Sequence, residues 1–189
     1  MDNPLSTAAP VGVSDAVARA GTGETPSSAV GGLLAWTVTV TGAHNAVEVG
    51  CASGVSGLWT VAGFPGRGTL TSVEPDPHRH SLATQAYEDA GLEDRVRSIL
   101  GDPATVLDRL TDGHYDLVLL QLGPAPTPEQ LDHAGRLLRD GGALVVRTTH
   151  ETQSEATADA VREREDFDAV ALLPLDGGVV LATRVEPGE

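Results

Sequence analysis

Apolar residues in this chain come in short runs separated by longer polar stretches. Ala46, Val47 and Val49 are small or β-branched and suit a short buried strand. Leu70–Val73, Val96–Leu100, Tyr115–Leu122 and Ala143–Thr149 repeat the pattern, and Tyr115–Leu122 is almost continuously apolar, as a central parallel strand is. Between these runs the spacing turns helical. Leu58, Trp59, Val61 and Ala62 form one such set, His78–Ala90 another, closed by Gly91. Ala104–Leu110, Pro128–Asp140 (stopped by Gly141-Gly142) and Glu151–Glu165 follow. Ahead of the first strand, Ser14 is placed to cap a short helix through Ala20, Gly21–Ser28 reads as a loop, and Ser27 or Ser28 starts a helix carrying Val30, Leu33, Leu34, Trp36 and Val38. Phe167–Leu175 and Val179–Val185 are separated only by Asp176-Gly177-Gly178, a hairpin length that forces an antiparallel pair.

Five βα units and a closing hairpin predict an α/β fold, a doubly wound, mostly parallel seven-stranded sheet with a C-terminal antiparallel hairpin. Residues 1–25 read as a flexible segment with a short helix, the first ten being loose, and residues 26–189 as a single domain.

Composition narrows the function. A 189-residue chain that is 40% hydrophobic and 21% charged is globular and can bury a sizeable core. Its net charge of −15 repels phosphates, which argues against nucleic acid and anionic membrane as partners. All 12 basic residues are arginine, which excludes a P-loop lysine and Schiff-base chemistry. The single cysteine, Cys51, excludes an internal disulfide and a cysteine-rich zinc site. No basic region followed by an apolar run opens the chain, and no apolar stretch is long enough to span a bilayer, so the expected location is cytoplasmic.

The chemistry gathers around Ala46–Gly57. A strand runs into Gly50, Gly54 and Gly57 and then into a helix, the first crossover of a doubly wound sheet. Glycine permits a tight turn and lets a ligand approach the backbone. The helix start offers unpaired N–H groups. Glu74 closes the second strand 24 residues after Gly50, where nucleotide folds keep an acid for ribose hydroxyls.

These residues give the chain its resemblance. Val47-Glu48-Val49-Gly50-Cys51-Ala52-Ser53-Gly54-Val55-Ser56, Thr71–Pro77, Ala90-Gly91-Leu92, Gly101-Asp102-Pro103, Tyr115-Asp116-Leu117-Val118 and Leu137–Gly142 stand in the order and at the separations of class I S-adenosylmethionine (SAM)-dependent methyltransferases. More narrowly, the chain resembles the bacterial catechol-type O-methyltransferases over roughly residues 26–185. The resemblance implies a Rossmann-like methyltransferase fold and SAM as cofactor. Glu48 and Gly50 to Gly54, Cys51 and Ser53 included, would form the loop under the methionine part, and Ser56 would bond its carboxylate or a nearby backbone group. Glu74 would take the ribose hydroxyls, with Asp102 by the adenine amino group and Pro103 beside the ring. Plainer roles stand beside these: Glu48 as a buried acid, Ser56 as a helix cap, Asp102 as the cap of the next helix, Cys51 as a small filler.

The pattern also departs from that family, which usually holds a divalent cation on an aspartate after the fourth strand and an Asp-Asn pair after the fifth. Here Gln121, Arg147 and Thr148 stand at those places. An amide beside a guanidinium does not supply the hard oxygen ligands magnesium needs, so no metal is expected. Arg147 could instead fill the cation's position and bind a carboxylate or phenolate, or form a salt bridge to a nearby acid. His150, just after the fifth strand, is the candidate general base, or else an exposed loop histidine. The candidate catalytic set is therefore His150, Arg147 and Gln121.

The expected activity is a SAM-dependent O-methyltransferase, metal-independent, acting on a small hydroxylated or phenolic molecule, with a homodimer as a possible assembly. The alternative is a catalytically degenerate protein that binds SAM or S-adenosylhomocysteine (SAH) and regulates or scaffolds. The glycine spacing and the terminal hairpin disfavour a nicotinamide dehydrogenase.

Overall fold

The computed structural model describes residues 10–20, 25–123 and 125–186. In chain order its elements are α1 (Val13–Ala20), α2 (Ser28–Thr41), β1 (Asn45–Val49), α3 (Val55–Gly63), β2 (Thr69–Glu74), α4 (Pro77–Asp89), β3 (Val96–Leu100), α5 (Pro103–Leu107), β4 (Tyr115–Gly123), α6 (Pro128–Leu137), β5 (Leu138–Thr148), α7 (Glu151–Arg162), β6 (Phe167–Leu173) and β7 (Val179–Arg184). The strands form one sheet in the order β3-β2-β1-β4-β5-β7-β6. β1 to β5 are parallel, and β7 pairs antiparallel with both β5 and β6. This is the doubly wound sheet with closing hairpin that the pattern predicts.

Strand side chains alternate between two cores. Val47, Val49, Val118, Leu120, Leu144 and Val146 face α6 and α7, meeting Leu131, Leu137, Ala158 and Val161. Ala46, Leu70, Leu117, Leu119 and Val145 face the other way, onto Val30, Leu34 and Val38 of α2, Leu58 of α3, and Ala83 and Ala86 of α4. Each fully buried Leu or Val in these layers contributes about 1.5–3 kcal/mol. α1 docks on this second layer through Val13 and Ala16, so the short helix of the N-terminal segment is part of the core. Residues 1–9 of the segment expected to be loose, and residues 21–24 of the 21–28 loop, lie outside the described residues.

Several boundaries move. Ser14 lies inside the first turn of α1, and the Gly12 carbonyl receives the Ala16 N–H at 2.9 Å instead. α4 starts one residue early because Asp76 caps it, accepting from the Arg79 N–H at 2.9 Å, and Pro77 suits the first helical position. α6 stops at Leu137 rather than Asp140, because Leu138 pairs with Tyr115 and begins β5 directly. Arg139 Nε donates to Asp116 at 2.6 Å, and Asp116 also accepts the His44 and Asn45 N–H groups at 2.7 and 2.9 Å. Burial pushes the Asp116 carboxyl up, but these donors outweigh it and hold it below the usual range. Tertiary pairing thus overrides a segment with good helix propensity. α5 and α7 also end three residues early, and β6 ends at Leu173 rather than Leu175.

On the α2–α3–α4 face, the period of two carries polar residues to the carboxyl ends of four adjacent strands. Leu70 is followed by Ser72 and Glu74, Ala46 by Glu48, Leu119 by Gln121, and Val145 by Arg147. In register, Glu48 sits beside Ser72 on one side and Leu119 on the other. Glu48 is fully buried. Its Oε1 accepts from the Ser56 hydroxyl and from Gln121 Nε2, the latter at 2.7 Å, and its Oε2 from Ser72 Oγ at 3.2 Å. Tyr87 OH lies 3.5 Å from the same Oε2 and 3.2 Å from Ser72 Oγ. Gly57 makes room for that phenol, since a Cβ there would sit 2.3 Å from its oxygen. Desolvation pushes the Glu48 carboxyl up to about 7, with the three side-chain donors pulling the other way.

Two expectations follow. Gly50 has φ +83°, and a Cβ on it would lie 2.2 Å from the Gln121 carbonyl oxygen, a backbone atom. Gly50→Ala therefore lowers stability by about 3 kcal/mol or more in urea unfolding. Glu48 has a folded pKa above its unfolded value, so its contribution is fully present below about pH 4.5 and is lost as pH rises through about 7. The loss is on the order of 3 kcal/mol. Glu48→Gln should flatten the fall in urea midpoint between pH 5 and pH 8; parallel profiles for variant and parent would show that Glu48 does not titrate there.

Candidate active site

Strand order reverses between β1 and β4, and a crevice opens outside their carboxyl ends, as expected where crossovers leave to opposite faces. The crevice holds a cavity of about 310 Å³. One half is lined by the Gly50–Ser53 loop with Val55 and Ser56, by Glu74, Pro75 and Arg79, and by Pro103; the other half by Thr25, Pro26, Gln121, Arg147 and Thr149.

The loop is held in a bent form from both sides. The Gly50 N–H donates to the Val73 carbonyl at 2.9 Å and the Gly54 N–H to the Cys51 carbonyl at 2.8 Å. Gly50, Ala52 and Gly54 all have positive φ. For Ala52 this conformation costs about 1–2 kcal/mol. Its N–H donates to Glu74 Oε2 at 3.0 Å, which ties the loop to the end of β2. Glu74 is 2% exposed, and its Oε1 accepts the Asp76 N–H at 3.1 Å. Each oxygen of this buried carboxylate can accept a further bond, so it suits a vicinal diol. Ser53 lines the cavity, and its hydroxyl is buried without a hydrogen-bond partner. Gly54, at the start of α3, provides no side-chain cap, so the helix N-terminus is available to an anion. Burial pushes the Cys51 thiol far up, with Glu48 adding to it, so it stays protonated and acts as a filler of the loop.

Across the cavity, Gln121 donates to Glu48 and, at 2.5 Å, to Ser56 Oγ, so its amide is directed into the floor. Arg147 is 9% exposed. Its Nη2 donates to the Thr25 carbonyl at 3.5 Å. Burial pulls its pKa below the ordinary arginine value, and the charge of Asp176 offsets only part of that. Asp176 in turn accepts the Ser27 N–H at 2.6 Å, so β5, the hairpin turn and the entry to α2 meet here.

Of the residues singled out in the sequence, Gly50, Cys51, Ser53, Ser56, Glu74, Pro103, Gln121 and Arg147 line one cavity. Glu48 lies beneath it as the acceptor of the buried network, and Gly54 starts α3. Asp102 is exposed and caps α5, accepting the Thr105 N–H and hydroxyl, each at 2.9 Å, which holds it below the usual carboxylate range. His150 is exposed at the N-cap of α7, outside the cavity lining. Unforeseen members are Thr25, Pro26, Arg79 and Thr149 in the lining, and Ser72 and Tyr87 below it. Ser72 was detectable as the same-face neighbour of Glu74, and Arg79 as a first-turn residue of the helix that follows it. Thr25 lies 122 residues from Arg147 and carries no local signal.

The chain matches the O-methyltransferase family model over residues 17–185. It is 39% identical, over 84% of its length and 76% of the other protein, to a Mycolicibacterium vanbaalenii protein provisionally named an O-methyltransferase. A similarly named Mycolicibacterium smegmatis protein is 37% identical, with 82% of this chain and 81% of that one covered. Among solved structures, a Bacillus cereus O-methyltransferase in complex with SAH superposes with a TM-score of 0.82 at 16% identity, covering 95% of this chain and 93% of that one. An O-methyltransferase of Streptomyces achromogenes, crystallised with SAM, gives 0.80 at 20% identity, covering 93% and 90%. These two likenesses concern the fold. With the family match spanning nearly all of the described residues, this chain belongs to the O-methyltransferase family.

Proposed function

We propose that this protein transfers a methyl group from SAM to an oxygen of a small acceptor without help from a divalent metal. One observation carries the reading: a buried carboxylate, Glu74, braces a left-handed loop at the end of the neighbouring strand, within one cavity. In it, Glu74 receives the ribose hydroxyls. The Ser53 hydroxyl, otherwise unpartnered, and the uncapped start of α3 receive the amino-acid end of the donor. Pro103 lies against the adenine, and Asp102 keeps its capping role. Bound SAM supplies an electrophilic methyl on a sulfonium. The protein's part is to align that carbon with the acceptor oxygen, and alignment alone can carry much of the rate.

The residues at the far end of the cavity do not suit a magnesium ion. Gln121 has its amide turned toward Glu48 and Ser56. Thr148 is fully buried, with its hydroxyl 3.5 Å from the Gly178 carbonyl and 3.4 Å from that of His150. A guanidinium occupies the remaining place. Among the described residues no three His, Cys, Asp or Glu side chains converge as a metal site. These points support a metal-independent reaction, with Arg147 as the cation of the acceptor side.

Calorimetry should register SAM and SAH binding and none for NAD. Glu74→Gln should weaken SAH about 10- to 100-fold, the range of a lost hydrogen bond to a charged group. Methylation of a phenol panel should be unchanged by EDTA and by added magnesium. Activity that collapses in chelator and returns with magnesium would overturn the metal-free reading. SAM binding with no turnover across the panel would favour the non-catalytic binder.

A further inference from the structure

Among the described residues, the acceptor half of the cavity offers a cation where a base would be expected. Thr25, Pro26, Gln121, Arg147 and Thr149 line it, and none of their side chains takes up a proton near neutral pH. Glu74, the carboxylate of the described lining, stands on β2, across β1 and β4 from Arg147, and braces the loop. Glu48 lies below Ser56 and Gln121, outside the lining. His150 is exposed at the start of α7, also outside it. A neutral hydroxyl must lose its proton when it is methylated; an oxygen acid that is already ionised need not.

Resting on the methyl-transfer reading above, we propose that the acceptor is an oxyanion at neutral pH, a carboxylate or an acidified phenolate, held by the Arg147 guanidinium. A lone pair of the anionic oxygen forms the new O–C bond as the C–S bond breaks, and that electron pair goes to sulfur. Anion and sulfonium become a neutral ester or ether and a neutral thioether, and no proton or further reactant is needed. Arginine suits the role because its planar fork matches an oxyanion and its five donors can serve the Thr25 carbonyl and a ligand together. It is also the cation nearest the acceptor side among the described lining residues, since Arg79 belongs to the first turn of α4 beside Glu74. In a chain of net charge −15, a buried positive group at this wall selects an anion more sharply than the surface does. Because the oxygen's charge disappears during transfer, Arg147 holds the ground state more strongly than the transition state. Removing it therefore raises KM and raises kcat with it.

The test uses the full chain loaded with SAH, titrated with benzoate and 4-nitrophenolate and with their neutral counterparts benzamide and 4-nitroanisole. The anions should bind about 10- to 100-fold more tightly. Arg147→Met should erase the preference and Arg147→Lys keep part of it. With SAM, a carboxylate acceptor gives a base-labile methyl ester and a phenolate a base-stable ether, which separates the two sources. In Arg147→Met, KM should rise by the same factor and kcat should rise rather than fall, and in the parent kcat/KM should rise through the acceptor's own pKa. If Arg147→Met does not fold, 4-nitrophenol against unsubstituted phenol, which ionises only near about pH 10, decides the matter in the parent. Equal binding of neutral and anionic probes, or phenol methylated at pH 7 as fast as 4-nitrophenol, overturns the inference and leaves methyl transfer standing. Failure of SAH to bind overturns both.

Discussion

The site depends on one buried carboxylate and the groups that solvate it. Glu48 sits at the centre of the sheet, and its neighbours come from four other elements: Ser72 on β2, Ser56 on α3, Tyr87 on α4 and Gln121 on β4. Withdrawing a carboxylate from water costs several kcal/mol, and removing one donor from such a cluster costs more than the bond itself because the charge stays behind. The network therefore acts as a clamp. The same Ser56 that donates to Glu48 lines the cavity, and Gly50 is pressed against the Gln121 carbonyl. The loop on β1 and the end of β4 are held as one body.

That clamp explains why residue 121 is an amide. Its Nε2 stands 2.7 Å from Glu48 Oε1, so a carboxylate in this rotamer would set two negative groups against each other in a buried place. Like charges at that distance are tolerated only when a cation or a proton intervenes. Gln121 donates instead, which relieves the repulsion and leaves no anionic ligand to direct outward. With no second carboxylate at the end of β4, a fixed guanidinium on β5 is electrostatically compatible with the site. The substitutions at 121 and 147 fit one another as a pair.

Strand positions, the loop and the hairpin were legible because periodicity and glycine or proline breaks act locally. Glu74 was legible because spacing along a crossover fixes which strand end faces which loop. The end of α6 was not: Leu137-Leu138-Arg139-Asp140 is sound helix sequence, and only the distant Tyr115 and Asp116 draw it into the sheet. Asp102 had two readings because a cap and a ligand contact use the same side chain next to the same proline, and the structure gives the cap its partners. His150 was read from its place after β5, but a residue that starts the next helix can present its side chain to solvent, and this one does. The inward turn of Gln121 was hidden because nothing in the order of residues says which of two neighbours an amide will serve. Thr25 and Pro26 join the cavity only through the folding of α2 onto the sheet.

The sheet also sets a distance. Glu74, Glu48, Gln121 and Arg147 lie on successive strands β2, β1, β4 and β5 and share one face. Strands are about 4.8 Å apart, so the outer two are separated by three spacings, roughly 14 Å across the crevice. In the proposed reaction one end of that row anchors the ribose and the other the acceptor, so the reacting atoms meet between them, above Gln121. Glu74 stays clear of the bond being made, while Arg147 holds the oxygen that makes it. Alignment then comes from the stiffness of a hydrogen-bonded sheet whose middle members are locked by Glu48, and the rate is sensitive to anything that loosens that middle. A polar network that carries no reacting group is, on this view, what holds the methyl carbon and its acceptor in line.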